Sequence, residues 1–113
     1  MMWENSETEK IFDVGEFAGE AHAAGALFHT DAVQAVGRLD IDLAAGAIDF
    51  LSLSGVKLHA PIGVGVLYIR HETPFAPLLL GGRQKRGRCA STENVPGIVE
   101  QLRHTAPPGR AGR

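Results

Sequence analysis

The sequence has little of what secreted, membrane-spanning and disulfide-stabilised proteins require. It has one cysteine, Cys89, in 113 residues, so no disulfide can form within the chain. No apolar run approaches the roughly 20 residues that span a bilayer, and residues 1–5 lack the basic and apolar regions of a signal peptide. Aromatic residues make up only 6% of the chain, and the net charge of -2 gives no overall attraction to nucleic acid. These absences predict a cytoplasmic protein that binds neither membrane nor nucleic acid.

The composition is that of an ordinary folded domain. Hydrophobic residues make up 44% of the chain and charged residues 21%, which suits one modest domain and excludes disorder over the whole length. Towards the end the composition turns to proline, glycine and arginine. We therefore expect a domain over residues 1–99 and a disordered tail over residues 100–113.

The apolar pattern predicts a helix followed by three strands. The helix is expected over Asp13 to Ala24, with Asp13 as N-cap and Gly25 as the stop. Strands are expected at residues 26–30, 48–53 and 65–70, with a helical turn at 32–36 and a further helix at 96–102. The short connection between the second and third strands allows an antiparallel pairing. The pattern indicates an α/β fold, a mixed sheet with flanking helices, whose ligands bind at the carboxyl ends of strands.

Polar residues at two strand ends suit pyridoxal phosphate chemistry. That chemistry needs a lysine amine, an acid beside the pyridine nitrogen, donors for the phenolic oxygen and a phosphate cradle. Lys57, Asp31 and Gln34 are candidates for the first three roles, and Ser54 on a glycine turn can face a phosphate. The residues alone leave alternatives open, since an aspartate at a strand end is commonly a turn former and a single lysine is commonly a solvated charge.

Four stretches of the chain closely resemble the cysteine desulfurases of the class V aminotransferase group. They occur in the order and spacing of that family within residues 11–99. The stretches are residues 28–37 (FHTDAVQAVG), 49–61 (DFLSLSGVKLHAP), 63–70 (GVGVLYIR) and 87–99 (GRCASTENVPGIV). The resemblance implies that residues 1–99 are part of the large domain of a pyridoxal-phosphate enzyme of fold type I.

The resemblance also implies a role for five residues. Lys57 matches the lysine that bonds pyridoxal 5'-phosphate and moves protons during the reaction. Asp31 matches the acid at the pyridine nitrogen, and Gln34 matches the residue at the phenolic oxygen. Ser54 matches a phosphate ligand, and Thr92 matches a threonine that reaches the phosphate of the other subunit, which implies a homodimer. The family converts L-cysteine to L-alanine and leaves persulfide sulfur for a sulfur acceptor or an iron-sulfur scaffold protein.

The chain departs from the family pattern at several positions. Val56 stands where the family has histidine before its lysine, and Ser6 stands where an active-site asparagine is expected. The stacking histidine of the family is expected before residue 1, and its persulfide cysteine and substrate arginine are expected after residue 113. Cys89 falls where the family has arginine and is interpreted as a bystander. We therefore expect a fragment that is inactive alone; the alternatives are a noncatalytic truncated gene product and another class V member such as a selenocysteine lyase.

Two other residue groups do not indicate a site. The five histidines match no compact zinc pattern, so no metal site is predicted. The basic cluster of Arg83, Lys85, Arg86 and Arg88 lacks interleaved aromatic residues, which favours a solvated or cofactor-proximal loop over a nucleic-acid interface.

Overall fold

A computed structural model describes residues 1–44, 46–58, 61–82 and 84–105. Its elements in chain order are β1 (Glu4–Asn5), β2 (Lys10–Ile11), α1 (Val14–Ala23), β3 (His29–Asp31), β4 (Phe50–Ser54), β5 (Gly65–Ile69) and α2 (Val95–Thr105). None of the helices in these ranges is long and apolar enough to cross a membrane.

The main sheet has three strands in the order β3, β4, β5. Strand β3 runs parallel to β4 with Asp31 opposite Ser52, and β4 runs antiparallel to β5 with Ser54 opposite Gly65. The free side of β3 is covered by residues 1–3, because the Asp31 N–H donates to the Met1 carbonyl at 2.8 Å and the Asp31 carbonyl accepts from the Trp3 N–H at 2.9 Å. Strands β1 and β2 form a separate antiparallel hairpin. The predicted mixed α/β sheet is confirmed, and the pairing of the second and third strands, which the sequence left open between antiparallel and irregular, is antiparallel.

The sheet has one buried face and one outward face. Side chains alternate along a strand, so Thr30 of β3 and Leu51 of β4, which are paired and buried, point to the same side. Helix α1 packs on that side through Val14 and Ala18. Within the described part of the chain, seven buried apolar residues form one cluster at the core, which are Val14, Ala18, Phe28, Ala32, Ala35, Ile48 and Leu51. Asp31, Ser52 and Ser54 therefore lie on the opposite, outward face.

Helix α1 begins and ends where the sequence predicts. The Asp13 Oδ1 accepts a hydrogen bond from the Glu16 N–H at 3.0 Å, which satisfies one of the free donors of the first turn. Gly25 follows the helix with a φ of 74°, a left-handed conformation that glycine adopts without steric cost. The N-cap and the stop are confirmed.

The other elements differ in their bounds from the predictions. Strand β3 begins at His29 rather than residue 26, because its partner β4 begins at Phe50, which is opposite His29. Helix α2 begins at Val95, since the Asn94 Oδ1 accepts from the Gly97 N–H at 3.2 Å. Residues 100–105, assigned to the tail from composition, continue α2, in which Gln101 is buried. The rest of the predicted tail, 106–113, lies outside the described residues.

Candidate active site at the carboxyl ends of two parallel strands

The carboxyl ends of β3 and β4 lie at the same edge of the sheet because these strands are parallel. Asp31 is the last residue of β3, and Ser54 is the last residue of β4. Strand β4 leads directly into a 3-10 turn, Gly55–Leu58, in which Lys57 is exposed. A hydrogen bond from the Gly55 N–H to the Val64 carbonyl, at 2.9 Å, attaches the turn to the residue that precedes β5. Candidate residues far apart in sequence thus reach one edge.

Asp31 is held by its backbone and keeps its side chain exposed. Its Oδ1 accepts a hydrogen bond from the Val33 N–H at 2.9 Å, which closes the turn that follows β3. The turn continues with two hydrogen bonds to the Ala32 carbonyl, one from Ala35 and one from Val36. Asp31 is therefore a turn former, as the simpler interpretation proposed, and it also presents a carboxylate to solvent.

Two adjoining depressions occupy this edge. The first, called the acidic depression, has a volume of about 270 Å³ and is lined by Met2, Glu4, Asn5, Ser6, Glu7, Asp31, Val33 and Gln34. The second, called the basic depression, has a volume of about 400 Å³ and is lined by Val33, Gln34, Val36, Gly37, Arg38, Lys57 and Leu58. They share Val33 and Gln34. The structure thus places Asp31 in one depression, Lys57 in the other, and Gln34 on their common wall.

The two depressions have opposite charge. Of the described residues, every charged one that lines the acidic depression is a carboxylate, whereas the charged ones that line the basic depression are Arg38 and Lys57. A ligand with a cationic group at one end and an anionic group at the other is complementary to this arrangement.

Gly37 lets the turn after β3 approach the turn after β4. Its φ is 83°, and a Cβ atom at this position would lie 3.3 Å from the Leu58 Cδ2. Both residues line the basic depression. A larger residue at position 37 would be strained in φ and would press on Leu58, so the glycine keeps the Lys57 turn close to Gln34.

The other predicted site residues lie farther from the depressions. Ser54 is partly buried on the outward face at the end of β4, one residue before the Lys57 turn, and it lines neither depression. Thr92 is exposed in the segment before α2 and also lines neither. The structure therefore brings Asp31, Gln34 and Lys57 together, and it does not bring Thr92 to them within one chain.

An ion pair between Glu4 and Arg38 crosses from one depression to the other. The Arg38 Nη1 donates to the Glu4 Oε1 at 3.0 Å, and the side chain of Glu4 is only 11% exposed. Sequence patterns do not reveal this pair, because the residues are 34 positions apart and no local pattern connects them. It fixes the β1–β2 hairpin to the loop after β3.

Two of the residues that depart from the family pattern, Ser6 and Val56, are also at this edge. Ser6 lines the acidic depression, and Val56 is exposed in the 3-10 turn beside Lys57. Cys89 lines a different cavity, over the outward face of β5 with Leu67 and Ile69.

Among the residues that the structure describes, no cluster of three or more histidine, cysteine, aspartate or glutamate side chains is arranged to hold a metal ion.

A second polar group lies at the opposite edge of the sheet. The Asp49 carboxylate accepts a hydrogen bond from the Phe28 N–H at 2.8 Å and lies 2.7 Å from the His22 Nε2. The Arg70 guanidinium donates to the carbonyls of Ile48 and Gly46 beside it. Burial alone would raise the pKa of Asp49, but the bonds from His22 and Phe28 and the charge of Arg70 hold it below its ordinary value. This group ties α1 to the start of β4.

The sequence of this chain is similar to those of known proteins. The chain is 60% identical over 99 residues to a cysteine desulfurase of Gluconacetobacter diazotrophicus and 58% identical over 99 residues to cysteine desulfurase NifS of Azotobacter vinelandii. Each match covers 88% of this chain and 25% of the relative, so the chain spans about a quarter of the length of these curated relatives.

Solved structures have the same fold. A NifS-like protein superposes with a TM-score of 0.86 at 39% identity, covering 92% of this chain and 29% of that one. SspA in complex with cysteine superposes with a TM-score of 0.85 at 35% identity, covering 92% of this chain and 30% of that one. The expected fold, a fragment of the large domain of pyridoxal-phosphate fold type I, is confirmed. The Aminotransferase class-V family model matches residues 1–105, and the chain therefore belongs to the class V aminotransferase family.

Proposed function

We propose that the chain is the cofactor-holding part of a pyridoxal-phosphate-dependent cysteine desulfurase. The observation that carries the proposal is the arrangement of Asp31, Gln34 and Lys57 along two adjoining depressions of opposite charge. The similarity to cysteine desulfurases over 99 residues supports the same function.

The residues at this edge fit the cofactor. When bound, pyridoxal phosphate withdraws electrons from the bond that breaks beside the substrate amine. Asp31 would keep the ring nitrogen protonated from the acidic depression, and Gln34 would donate to the phenolic oxygen from the common wall. Lys57 would bond the cofactor carbon and carry protons, and Ser54 would donate to the phosphate. An exposed amine on a short 3-10 turn is free to exchange between these tasks.

The substrate and partners follow from the family. We propose L-cysteine as substrate and L-alanine as product, with sulfur passed through a protein persulfide to a sulfur acceptor or an iron-sulfur scaffold protein. Support for L-cysteine comes from SspA, a relative solved in complex with cysteine. Thr92, exposed and away from both depressions, suits a residue that serves the other subunit of a homodimer.

Borohydride fixation tests the cofactor site directly. The chain has three lysines, Lys10, Lys57 and Lys85, so selective labelling can be read by mass spectrometry of its peptides. After incubation with pyridoxal phosphate and reduction, we expect the label on Lys57, lost in Lys57→Ala and kept in Lys85→Ala. Lys85 is a suitable control because it is also exposed and donates to the Ser91 hydroxyl at 2.6 Å. Equal labelling of all three lysines would contradict the proposal.

The purified 113-residue chain is expected to release no sulfide or alanine from L-cysteine above the free-cofactor background. Its single cysteine, Cys89, lines a cavity other than the depressions at Asp31 and Lys57. Sulfide release that disappears in Cys89→Ser would refute this expectation.

The noncatalytic alternative is favoured by Val56 and Ser6. Valine offers no donor to a phosphate, and serine is shorter than asparagine and carries no amide. If these changes have removed cofactor affinity, Lys57 will not label selectively in the natural chain. The variant Val56→His should then label more strongly than the natural chain, since it restores the residue that the family has there.

A further inference from the structure

We propose that Arg38 binds the oxyanion group of the ligand that Lys57 engages. This deepens the proposed function, on which it rests for the identity of the ligand. The group is a phosphate or a carboxylate, and labelling of Lys57 distinguishes these two sources.

The charges of the two depressions favour this assignment. Among the residues that the structure describes, Arg38 and Lys57 are the charged side chains that line the basic depression, and no carboxylate lines it. A second cation that lines the same depression as Lys57 attracts an anionic group, while Glu7 and Asp31, the carboxylates of the acidic depression that are not paired with Arg38, repel it. The neighbouring charges thereby give a dipolar ligand one preferred orientation.

The Arg38 side chain is held in place and still has free donors. Within the described part of the chain, its guanidinium makes one hydrogen bond, from Nη1 to the Glu4 Oε1 at 3.0 Å, whereas a guanidinium has five N–H groups. Glu4 is nearly buried at 11% exposure, and the Arg38 side chain is 64% exposed. A buried carboxylate thus orients an exposed guanidinium, the residue type that binds planar oxyanions through two parallel hydrogen bonds.

Binding of inorganic phosphate tests the site without any cofactor. The titration is followed by the amide chemical shifts of the isotope-labelled 113-residue chain. We expect Arg38→Gln to weaken binding about tenfold or more, because a charge-assisted bond is lost, and Arg38→Lys to have a smaller effect. Arg103→Gln is the matched control, since Arg103 also pairs with a glutamate, Glu100, at 3.4 Å on α2.

The variant Glu4→Gln separates anion binding from a purely structural role. If Arg38 binds the anion, this variant keeps phosphate binding because the guanidinium remains. If the pair only fastens the β1–β2 hairpin, Glu4→Gln and Arg38→Gln lose binding equally, which would overturn the proposal. Unchanged binding in Arg38→Gln, or an equal loss in Arg103→Gln, would overturn it as well. Far-UV circular dichroism verifies that each variant is folded, and Arg38→Lys provides a second variant that retains the charge.

Two comparisons of Lys57 labelling identify the source of the oxyanion. If Arg38→Gln reduces labelling by pyridoxal phosphate and not by pyridoxal, the group is the phosphate of the cofactor. If both label normally, but L-alanine loses its advantage over L-alaninamide in displacing the cofactor, the group is the substrate carboxylate. Either result supports the proposal. If Arg38→Gln alters neither comparison, the proposal is contradicted. Phosphate binding through Arg38 without any Lys57 labelling would refute the proposed function and support the anion site.

Discussion

Thr30 is the most deeply buried polar residue among the described residues, with 0% exposure, and it lies between the exposed residues His29 and Asp31 of β3. Its hydroxyl has no hydrogen-bond partner within the described part of the chain. A buried hydroxyl without a partner costs roughly 1 to 3 kcal/mol, and valine has nearly the same shape without that cost. The position is therefore suited to a stabilising substitution.

We expect Thr30→Val to raise the free energy of unfolding by about 1 kcal/mol in urea denaturation. Thr8→Val is the control, because Thr8 is exposed in the turn between β1 and β2. The candidate site should be unaffected, since the Thr30 side chain points to the buried face. A destabilised Thr30→Val variant would indicate that the hydroxyl has a partner such as a buried water.

Asp49 makes the stability of the chain depend on pH in the acidic range. Its pKa is lower in the folded chain than in the unfolded chain, so its contribution is complete above the unfolded value of about 3.9 and is lost as pH falls through the folded value. We expect the free energy of unfolding to fall as the pH is lowered below about 4, and to fall less steeply in Asp49→Asn. Asp40→Asn, on an exposed loop, is the control. Parallel pH profiles of the natural chain and Asp49→Asn would contradict this prediction.

At the scale of elements, the two helices contain glycines in opposite surroundings. A Cβ added at Gly97 of α2 would lie 2.6 Å from the Val64 Cγ2, whereas one added at Gly19 of α1 would meet nothing within 4 Å. Gly97 is therefore required for α2 to approach the segment before β5, while Gly19 has no such contact.

We expect Gly19→Ala to stabilise the chain by up to about 1 kcal/mol, since alanine is the better helix former. Gly97→Ala should destabilise it by about 1 to 3 kcal/mol, because the added methyl displaces Val64 or α2. Thermal unfolding of the two variants gives the comparison. If both substitutions stabilise, α2 does not pack on Val64 as described.

The bounds of some elements can be predicted from the sequence, whereas other bounds and the long-range ion pairs cannot. Helix α1 was predicted within about one residue because its signals, Asp13 and Gly25, are local. The start of β3 was misplaced because strand bounds depend on the partner, here Phe50 of β4. The Glu4–Arg38 and His22–Asp49 pairs join residues 34 and 27 positions apart, so neither could be read from spacing.

At the scale of the whole molecule, the outward face of the sheet is apolar and open at β5. Leu67 and Ile69 of β5, with Phe75, Leu78 and Leu79 after it, line a cavity of about 640 Å³, and Phe75 contacts Phe50 with ring centroids 6.4 Å apart. Leu78 and Leu80 are 92% and 82% exposed. A continuous apolar surface of this kind promotes association.

We expect the chain to self-associate in a concentration-dependent manner, and Leu78→Glu with Leu79→Glu, both in the lining of this cavity, to reduce this in analytical ultracentrifugation. Leu27→Glu, before β3, is the control because Leu27 is also half exposed and does not line this cavity. Equal effects of the control and the double variant would show that association does not use the outward face of β5.

The opposite charges of the two depressions also have an energetic consequence for the free chain. Three carboxylates, Glu4, Glu7 and Asp31, line one small depression, while Lys57 and Arg38 line the other. Glu4 is paired with Arg38, whereas Glu7, Asp31 and Lys57 are exposed and have no ion-pair partner among the described residues. A ligand that pairs with charges of both depressions finds them side by side in the folded state only. Folding and binding of such a ligand are then thermodynamically linked, so the free energy of unfolding rises with the ligand concentration.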